Sequence, residues 1–216
     1  MRVLLTGGTG FIGSHTAVVL LEGGHDVFIC DNLCNSQVST LDAVEAICGR
    51  RPVFYESDIR DRNAMRSILT DNGIEAVVHF AGLKAVGESC AKPLEYYDNN
   101  VAGTVTLLQA MQEAGCRSMI FSSSSTVYGT PQKLPLTEEH PVGGVTNPYG
   151  RTKLVIESIL SDLCAADKNF CAVCLRYFNP IGAHPSGLIG ENPNGIPNNL
   201  LPYVARVAAG LLKEVN

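Results

Sequence analysis

Two kinds of apolar pattern alternate along the chain. Short continuous apolar runs are each followed by a stretch whose apolar residues recur at helical spacing. The run Val3–Leu5 precedes a helical pattern reaching about Glu22, carried by Ile12, Ala17, Val18, Leu20 and Leu21. Val27–Cys30 precedes a polar loop from Asn32 to Ser39 and a helix to about Cys48. Val53–Tyr55 leads to a helix over Asn63–Asp71, and Ala76–Phe80 to a long helix over about Pro93–Ala114. Ser118–Ser122 and Phe170–Tyr177 are the remaining runs, with a helix from Asn147 to about Asp162 between them. Continuous apolar runs alternating with helices predict a parallel sheet covered on both faces. The six runs fit an α/β, doubly wound parallel sheet, in which ligands bind beyond the carboxyl ends of the strands. From Pro180 the texture changes: Ala183 to Asn199 is rich in Pro, Gly and Asn and reads as a loop grafted on the core. An amphipathic helix over about Leu200–Leu212 follows, with Val204, Val207, Ala208 and Leu211 at helical spacing.

The informative residues stand where the strands end. After Leu5 come Thr6 and glycines at 7, 8, 10 and 13, then the first helix. Strand, glycine turn and helix lay a dinucleotide pyrophosphate on free N–H groups at the positive end of a helix dipole. Glycine suits the turn because a Cβ would keep the phosphates from approaching the backbone. Asp31 ends the second run, 18 residues after Gly13. An acid there takes the ribose hydroxyls of NAD and repels the extra phosphate of NADP. The fold expected is therefore Rossmann-like, with residues 1–179 as the NAD-binding domain and 180–216 as the beginning of a smaller substrate-binding region.

Composition narrows the partners. The chain has 216 residues, 45% hydrophobic and 17% charged, with a net charge of −5. Without a basic stripe, neither nucleic acid nor an anionic membrane is an expected partner. No apolar run approaches a membrane span, and the start turns straight into glycines rather than a signal peptide, so the expected location is the cytoplasm. The eight cysteines are scattered through apolar segments and read as reduced packing residues. Cys171 and Cys174 match a CxxC spacing, but on a strand residues three apart face opposite sides, so no metal or redox pair is expected. His79 ends a strand and reads as a core residue, and no metal site is expected.

A second constellation is Tyr149 and Lys153, four apart and so on one helix face. A phenol titrates near about 10 and is a poor base at neutral pH. A nearby ammonium together with the positive nicotinamide of NAD would lower that value and make Tyr149 a general base. The strand end Ser122–Ser125 offers hydroxyls that can relay a proton to Tyr149, and spacing alone does not choose among them.

These segments resemble the extended short-chain dehydrogenase/reductase family, and within it the branch that epimerises UDP-hexoses. The resemblance runs through Thr6–His15, Asp31–Asn35, His79–Ser89, Pro93–Asn100, Ser122–Gly129, Asn147–Lys153 and Arg176–Gly187. It implies Ser124, Tyr149 and Lys153 as the catalytic group. It implies NAD contacts from Gly7, Gly10, Phe11, Ile12, Gly13, Asp31, Asn32, Leu33, Cys34, Asn35, Ser36, Asp58 and Ile59. Further NAD contacts are implied from Phe80, Ala81, Gly82, Leu83, Lys84, Asn99, Ser124, Tyr149, Lys153 and Phe178. UDP-sugar contacts are implied from Lys84, Ser124, Tyr149, Asn179, Asn199 and Leu200. The implied activity is interconversion of UDP-glucose and UDP-galactose through transient oxidation at sugar C4, in a homodimer.

Two departures stand out. Ser125 occupies a position that is Ala in many relatives. The family pattern also continues past Asn216, so the expectation is a shortened chain with nearly the whole NAD site and only the start of the sugar site. Alternatives are a 4-epimerase of UDP-uronates or UDP-N-acetyl sugars, or an NAD-binding chain without turnover. A 4,6-dehydratase is disfavoured, because relatives with that chemistry place an Asp-Glu pair where this chain has Ser125 and Thr126.

Overall fold

A computed structural model describes residues 1–192 and 200–215. Its six strands are β1 (Arg2–Thr6), β2 (Asp26–Asp31), β3 (Val53–Glu56), β4 (Ala76–His79), β5 (Ser118–Ser124) and β6 (Cys171–Tyr177). They form one sheet in the order β3-β2-β1-β4-β5-β6, with every pairing parallel. The order reverses between β1 and β4, which is where a doubly wound sheet opens a crevice.

The helices are α1 (Phe11–Glu22), α2 (Thr40–Cys48), α3 (Arg62–Asp71), α4 (Val86–Ala91), α5 (Pro93–Tyr96), α6 (Gly103–Ala114), α7 (Pro148–Ala166) and α8 (Leu200–Ala208). They divide the core into two layers. Leu4 packs with Met65, Leu69, Leu107, Met111, Phe121, Ile156 and Leu160 on the side of α3, α6 and α7. Its neighbour Leu5 packs with Val18, Leu21, Ile29, Leu41 and Val44 on the side of α1 and α2. Successive residues of a strand point to opposite faces, so a strand buried on both reads as an unbroken apolar run.

That rule fails at one edge. Cover on both faces was expected of every run, but burial along β6 alternates. Ala172 and Cys174 pack on the core, whereas Ile120, Val173 and Leu175 lie exposed on the other face. Among the described residues α7 covers this end of the sheet on one side only.

Other differences concern boundaries. The long helix expected over Pro93–Ala114 is interrupted by a π-helical turn, Tyr97–Ala102, between α5 and α6. A further short helix, α4, precedes it. The last helix stops at Ala208, just before Gly210 at φ +72°. His79 is a core residue as expected: 1% exposed, it lies between Thr6 Oγ1 at 2.6 Å and Thr104 Oγ1 at 2.9 Å. Burial, with the charge of Lys153 adding to it, pushes its pKa down to about 3. Cys171 and Cys174 differ in burial as strand alternation requires, and all eight cysteines are free of disulfides.

A candidate active site at the carboxyl edge of the sheet

A cleft of about 540 Å³ opens at the carboxyl ends of the strands. One wall is the loop between β1 and α1. Gly7 has φ +69°, and a Cβ on it would lie 2.6 Å from the Ala81 nitrogen. A Cβ on Gly13 would lie 2.5 Å from the Gly7 carbonyl oxygen. The loop thus folds tightly on itself and against the end of β4, and only glycine fits. Helix α1 starts after Gly10 with no side-chain cap and no acid in its first turn. Its first residues, Phe11 to Gly13, line the cleft, and a helix N-terminus there suits an anion.

Asp31 forms the next part of that wall, 8% exposed. Its Oδ2 accepts from Thr9 N at 3.2 Å and Thr9 Oγ1 at 2.6 Å. Its Oδ1 accepts from Leu33 N at 2.9 Å and Ser36 Oγ at 3.1 Å. The Leu33 bond closes an Asx turn, with Leu33 itself at φ 56°. Asp58 lies behind, gripped by Arg60 through Nε at 2.9 Å and Nη2 at 2.8 Å, and by Asn32 Nδ2 at 3.0 Å. The Arg60 hydrogen bonds hold its carboxyl well below the usual carboxylate range.

The opposite wall is set by α7. Asn147 Oδ1 caps the helix by accepting from Gly150 N at 2.8 Å, with Pro148 in the first turn. This fixes Tyr149 in the first turn and Lys153 one turn on. Lys153 is 5% exposed; its Nζ donates to Ser122 O at 2.7 Å and lies 4.8 Å from the Phe121 ring centroid and 5.9 Å from that of Tyr149. Burial pushes its pKa down to about 8. The Tyr149 phenol is pushed up by burial, and a hydrogen bond with Ser124 works against that rise. The sequence reading expected the Tyr149 pKa to be lowered by Lys153 and the nicotinamide together. In the protein the phenol is raised by burial, and what opposes the rise is the Ser124 hydrogen bond, not the lysine.

The strand-end serines separate by role. Ser122 offers its carbonyl to Lys153, Ser123 donates to Glu157, and Ser124 meets Tyr149. Ser124 Oγ also accepts from Thr126 N at 3.2 Å and Thr126 Oγ1 at 3.0 Å, capping the 3-10 turn Ser125–Tyr128.

Every residue expected on the dinucleotide side lines the cleft except Leu33 and Asp58, which hydrogen-bond with Asp31 and Asn32 respectively. Asn179 lines it too. Leu200 does not: it is 70% exposed on α8. Asn199 lies outside the described residues. Sequence reasoning missed Thr9, which orients Asp31, and Glu191, whose carboxylate pairs with Lys84 Nζ at 3.0 Å. Thr9 sat within the glycine motif in plain view; Glu191 sits in an irregular loop with no spacing to mark it. Among the described residues no group of His, Cys, Asp or Glu is arranged to hold a metal, and no helix is long and apolar enough to cross a membrane.

A doubly wound sheet with a glycine-lined helix terminus, a buried acid at the end of β2 and a Ser–Tyr–Lys group at the same edge is the arrangement of a dinucleotide-binding α/β protein. Residues 3–215 match the NAD dependent epimerase/dehydratase family, and the chain belongs to it. It is 58% identical over 214 residues to UDP-glucose 4-epimerase of Neisseria meningitidis serogroup B, covering 99% of this chain and 63% of that protein. It is 56% identical over 216 residues to UDP-glucose 4-epimerase of Bacillus subtilis, again covering 63% of the relative. The crystal structure of the Bifidobacterium longum UDP-glucose 4-epimerase in complex with NAD+ and UDP superposes with a TM-score of 0.96 at 56% identity, over 100% of this chain and 64% of that one. The chain thus spans somewhat less than two thirds of the length of these relatives.

Proposed function

We propose that this chain forms the NAD-binding and catalytic part of a UDP-glucose 4-epimerase, interconverting UDP-glucose and UDP-galactose. The observation that carries the reading is the meeting of Ser124, Tyr149 and Lys153 with the α1 N-terminus and Asp31 in a single cleft. The tight glycine contacts and the uncapped helix end fit a dinucleotide pyrophosphate, and the oriented Asp31 carboxylate fits an unphosphorylated ribose. NAD, when bound, supplies the acceptor and donor of the hydride exchanged with sugar C4.

The chain's own residues manage the proton. Tyr149 Oη takes it from the sugar 4-hydroxyl and later returns it. Ser124, in hydrogen-bond contact with Tyr149, bridges the phenol to that hydroxyl. Lys153 is a buried cation beside the Tyr149 ring, and its charge favours the phenolate once the phenol has to ionise. Elimination of water from the sugar is disfavoured, because Ser125 and Thr126 line the cleft where an acid would be required. A cytoplasmic location accords with the eight free cysteines, and homodimeric assembly with the family resemblance.

The test has two arms. The 216-residue chain is titrated with NADH, followed by fluorescence; saturable binding is expected. The chain joined to the remaining C-terminal third of a relative is incubated with UDP-galactose, with UDP-N-acetylgalactosamine as comparison. UDP-glucose should appear. Conversion of the N-acetyl sugar alone would overturn the substrate assignment, and no conversion of either would overturn the activity.

A further inference from the structure

Four consecutive serines, at 122–125, close β5 and open the turn after it, and their side chains are chemically identical. Register along a strand is fixed where buried apolar residues alternate with others, and a slip of one residue turns every side chain to the opposite face. In β5 that alternation is carried by Met119 and Phe121, buried with Ile156 and Leu160 of α7, and by the exposed Ile120. It ends at Phe121. Beyond it stands Ser124, the serine in contact with Tyr149.

A largely buried ion pair takes over where the apolar pattern stops. Ser123 and Arg176 are partners in the β5–β6 register, on the face that carries Phe121 and Cys174. Glu157 of α7, one turn beyond Lys153, bonds both. Its Oε1 accepts from Ser123 Oγ and from Arg176 Nε at 3.0 Å, and its Oε2 accepts from Arg176 Nη2 at 2.8 Å. The remaining guanidinium nitrogen, Nη1, donates to Tyr128 Oη at 3.0 Å, at the end of the 3-10 turn that follows Ser124. One pair therefore joins the residue before Ser124, the turn after it and the helix that carries Tyr149. The side chains of Arg176 and Glu157 are 22% and 10% exposed, and Ser123 is buried. Such a pair contributes little net stability, because desolvation offsets the attraction. What an arginine fork on a carboxylate supplies is a fixed geometry, and setting register is the best-attested use of a buried polar group.

We propose that Glu157 and Arg176 are positioning residues that hold the serine end of β5 in the one register that brings Ser124, and not a neighbouring serine, to Tyr149. Neither residue lines the cleft; both act through Ser123 and Tyr128. The proposal rests on the reading of Ser124 and Tyr149 as the proton-transfer pair.

The experiment has a structural arm and a kinetic one. In the 216-residue chain, amide hydrogen exchange over residues 122–125 should quicken in Arg176→Lys and Glu157→Gln, while residues 119–121, held by their apolar alternation, keep their protection. In the chain joined to a relative's C-terminal third, turnover of UDP-galactose is expressed per NADH-binding site, so that unfolded protein does not count. Arg176→Lys keeps the charge and loses the fork, so kcat should fall about tenfold with KM within about twofold. Glu157→Gln should change kcat in the same direction. Ser124→Ala should cost less in either background than in the parent, because the register that selected Ser124 has been released. If Arg176→Lys binds no NADH, Glu157→Gln, which keeps its size and an oxygen for Ser123, carries both arms. A pair with a packing role only would lower the thermal midpoint and the number of sites, leaving kcat per site and the cost of Ser124→Ala as in the parent; that result, or unchanged exchange over residues 122–125, would overturn the proposal. A joined parent chain that binds NADH without converting UDP-galactose would refute the proton-transfer reading and this proposal together, whereas turnover by the parent with strictly additive variants refutes this proposal alone.

Discussion

The two walls of the cleft are built in opposite ways. On the glycine side, atoms are packed so closely that a Cβ at Gly7 or Gly13 has no room, and both oxygens of Asp31 are engaged by protein donors. On the other side, next to α7, the segment after β6 lines the cleft with Phe178, Asn179 and Pro180, and Phe178 is largely exposed, as are Ile181 and Leu188 beyond it. The ion pair between Lys84 and Glu191 joins that segment to the end of β4, with Lys84 more than half exposed. Such a pair contributes about 0–1 kcal/mol. The first wall packs successive strand ends together, Gly7 against Ala81 and Thr9 against Asp31. The second draws on segments far apart in the chain.

Chemistry that needs both walls should be the most sensitive. Tyr149→Phe keeps the ring and removes the ionisable oxygen. In the chain joined to a relative's C-terminal third, turnover of UDP-galactose should fall about 10²–10⁴-fold, the usual share of general acid–base catalysis, with NADH binding retained. Unchanged turnover would transfer the role of base to another group.

The glycine-side wall is probed by cofactor choice. With Asp31 held by Thr9, Leu33 and Ser36, the carboxylate cannot swing away from a 2′-phosphate. The chain should prefer NADH over NADPH by on the order of a hundredfold, and Asp31→Asn should shrink that ratio. Equal affinities in the parent chain would break the contrast between the walls.

Lys153 stands on the α7 wall, and its effect on the fold should be the smallest. Lys153→Met should loosen NADH yet leave the free protein more stable, by a net gain on the order of 1 kcal/mol after loss of the Ser122 hydrogen bond. The sign follows from its pKa of about 8 against an ordinary 10.5. Between these values the unfolded chain holds the proton and the folded one does not, so the burial cost is fully present below pH 8 and fades as pH rises toward 10.5. The stability difference between variant and parent, from urea melts, should shrink over that window. A difference that grows with pH would mean Lys153 is better paired than its surroundings indicate.

Much of this site was legible before any fold was in hand, for local reasons. The glycines, Asp31 and the Tyr149–Lys153 pair act at fixed spacings on a strand, turn or helix, and those spacings are properties of the backbone. The apolar runs foretold the central strands because residues such as Leu4 and Leu5 face opposite cores. Ile120, Val173 and Leu175 are exposed among the described residues, because an apolar run does not itself say which element lies over it.

What the sequence determined by itself is therefore the class of sheet, the dinucleotide loop and the helix that presents Tyr149 and Lys153, all set by near neighbours. Spacing alone left the serine open until the resemblance pointed to Ser124; tertiary structure alone decided that burial raises the phenol and lowers the lysine, and that Asn100 bonds both Leu83 and Thr152. Each of these depends on groups distant along the chain: Ser124 from Tyr149, Leu83 and Thr152 from Asn100. Solvent exclusion and hydrogen-bond geometry exist only once the sheet has brought those segments to one edge.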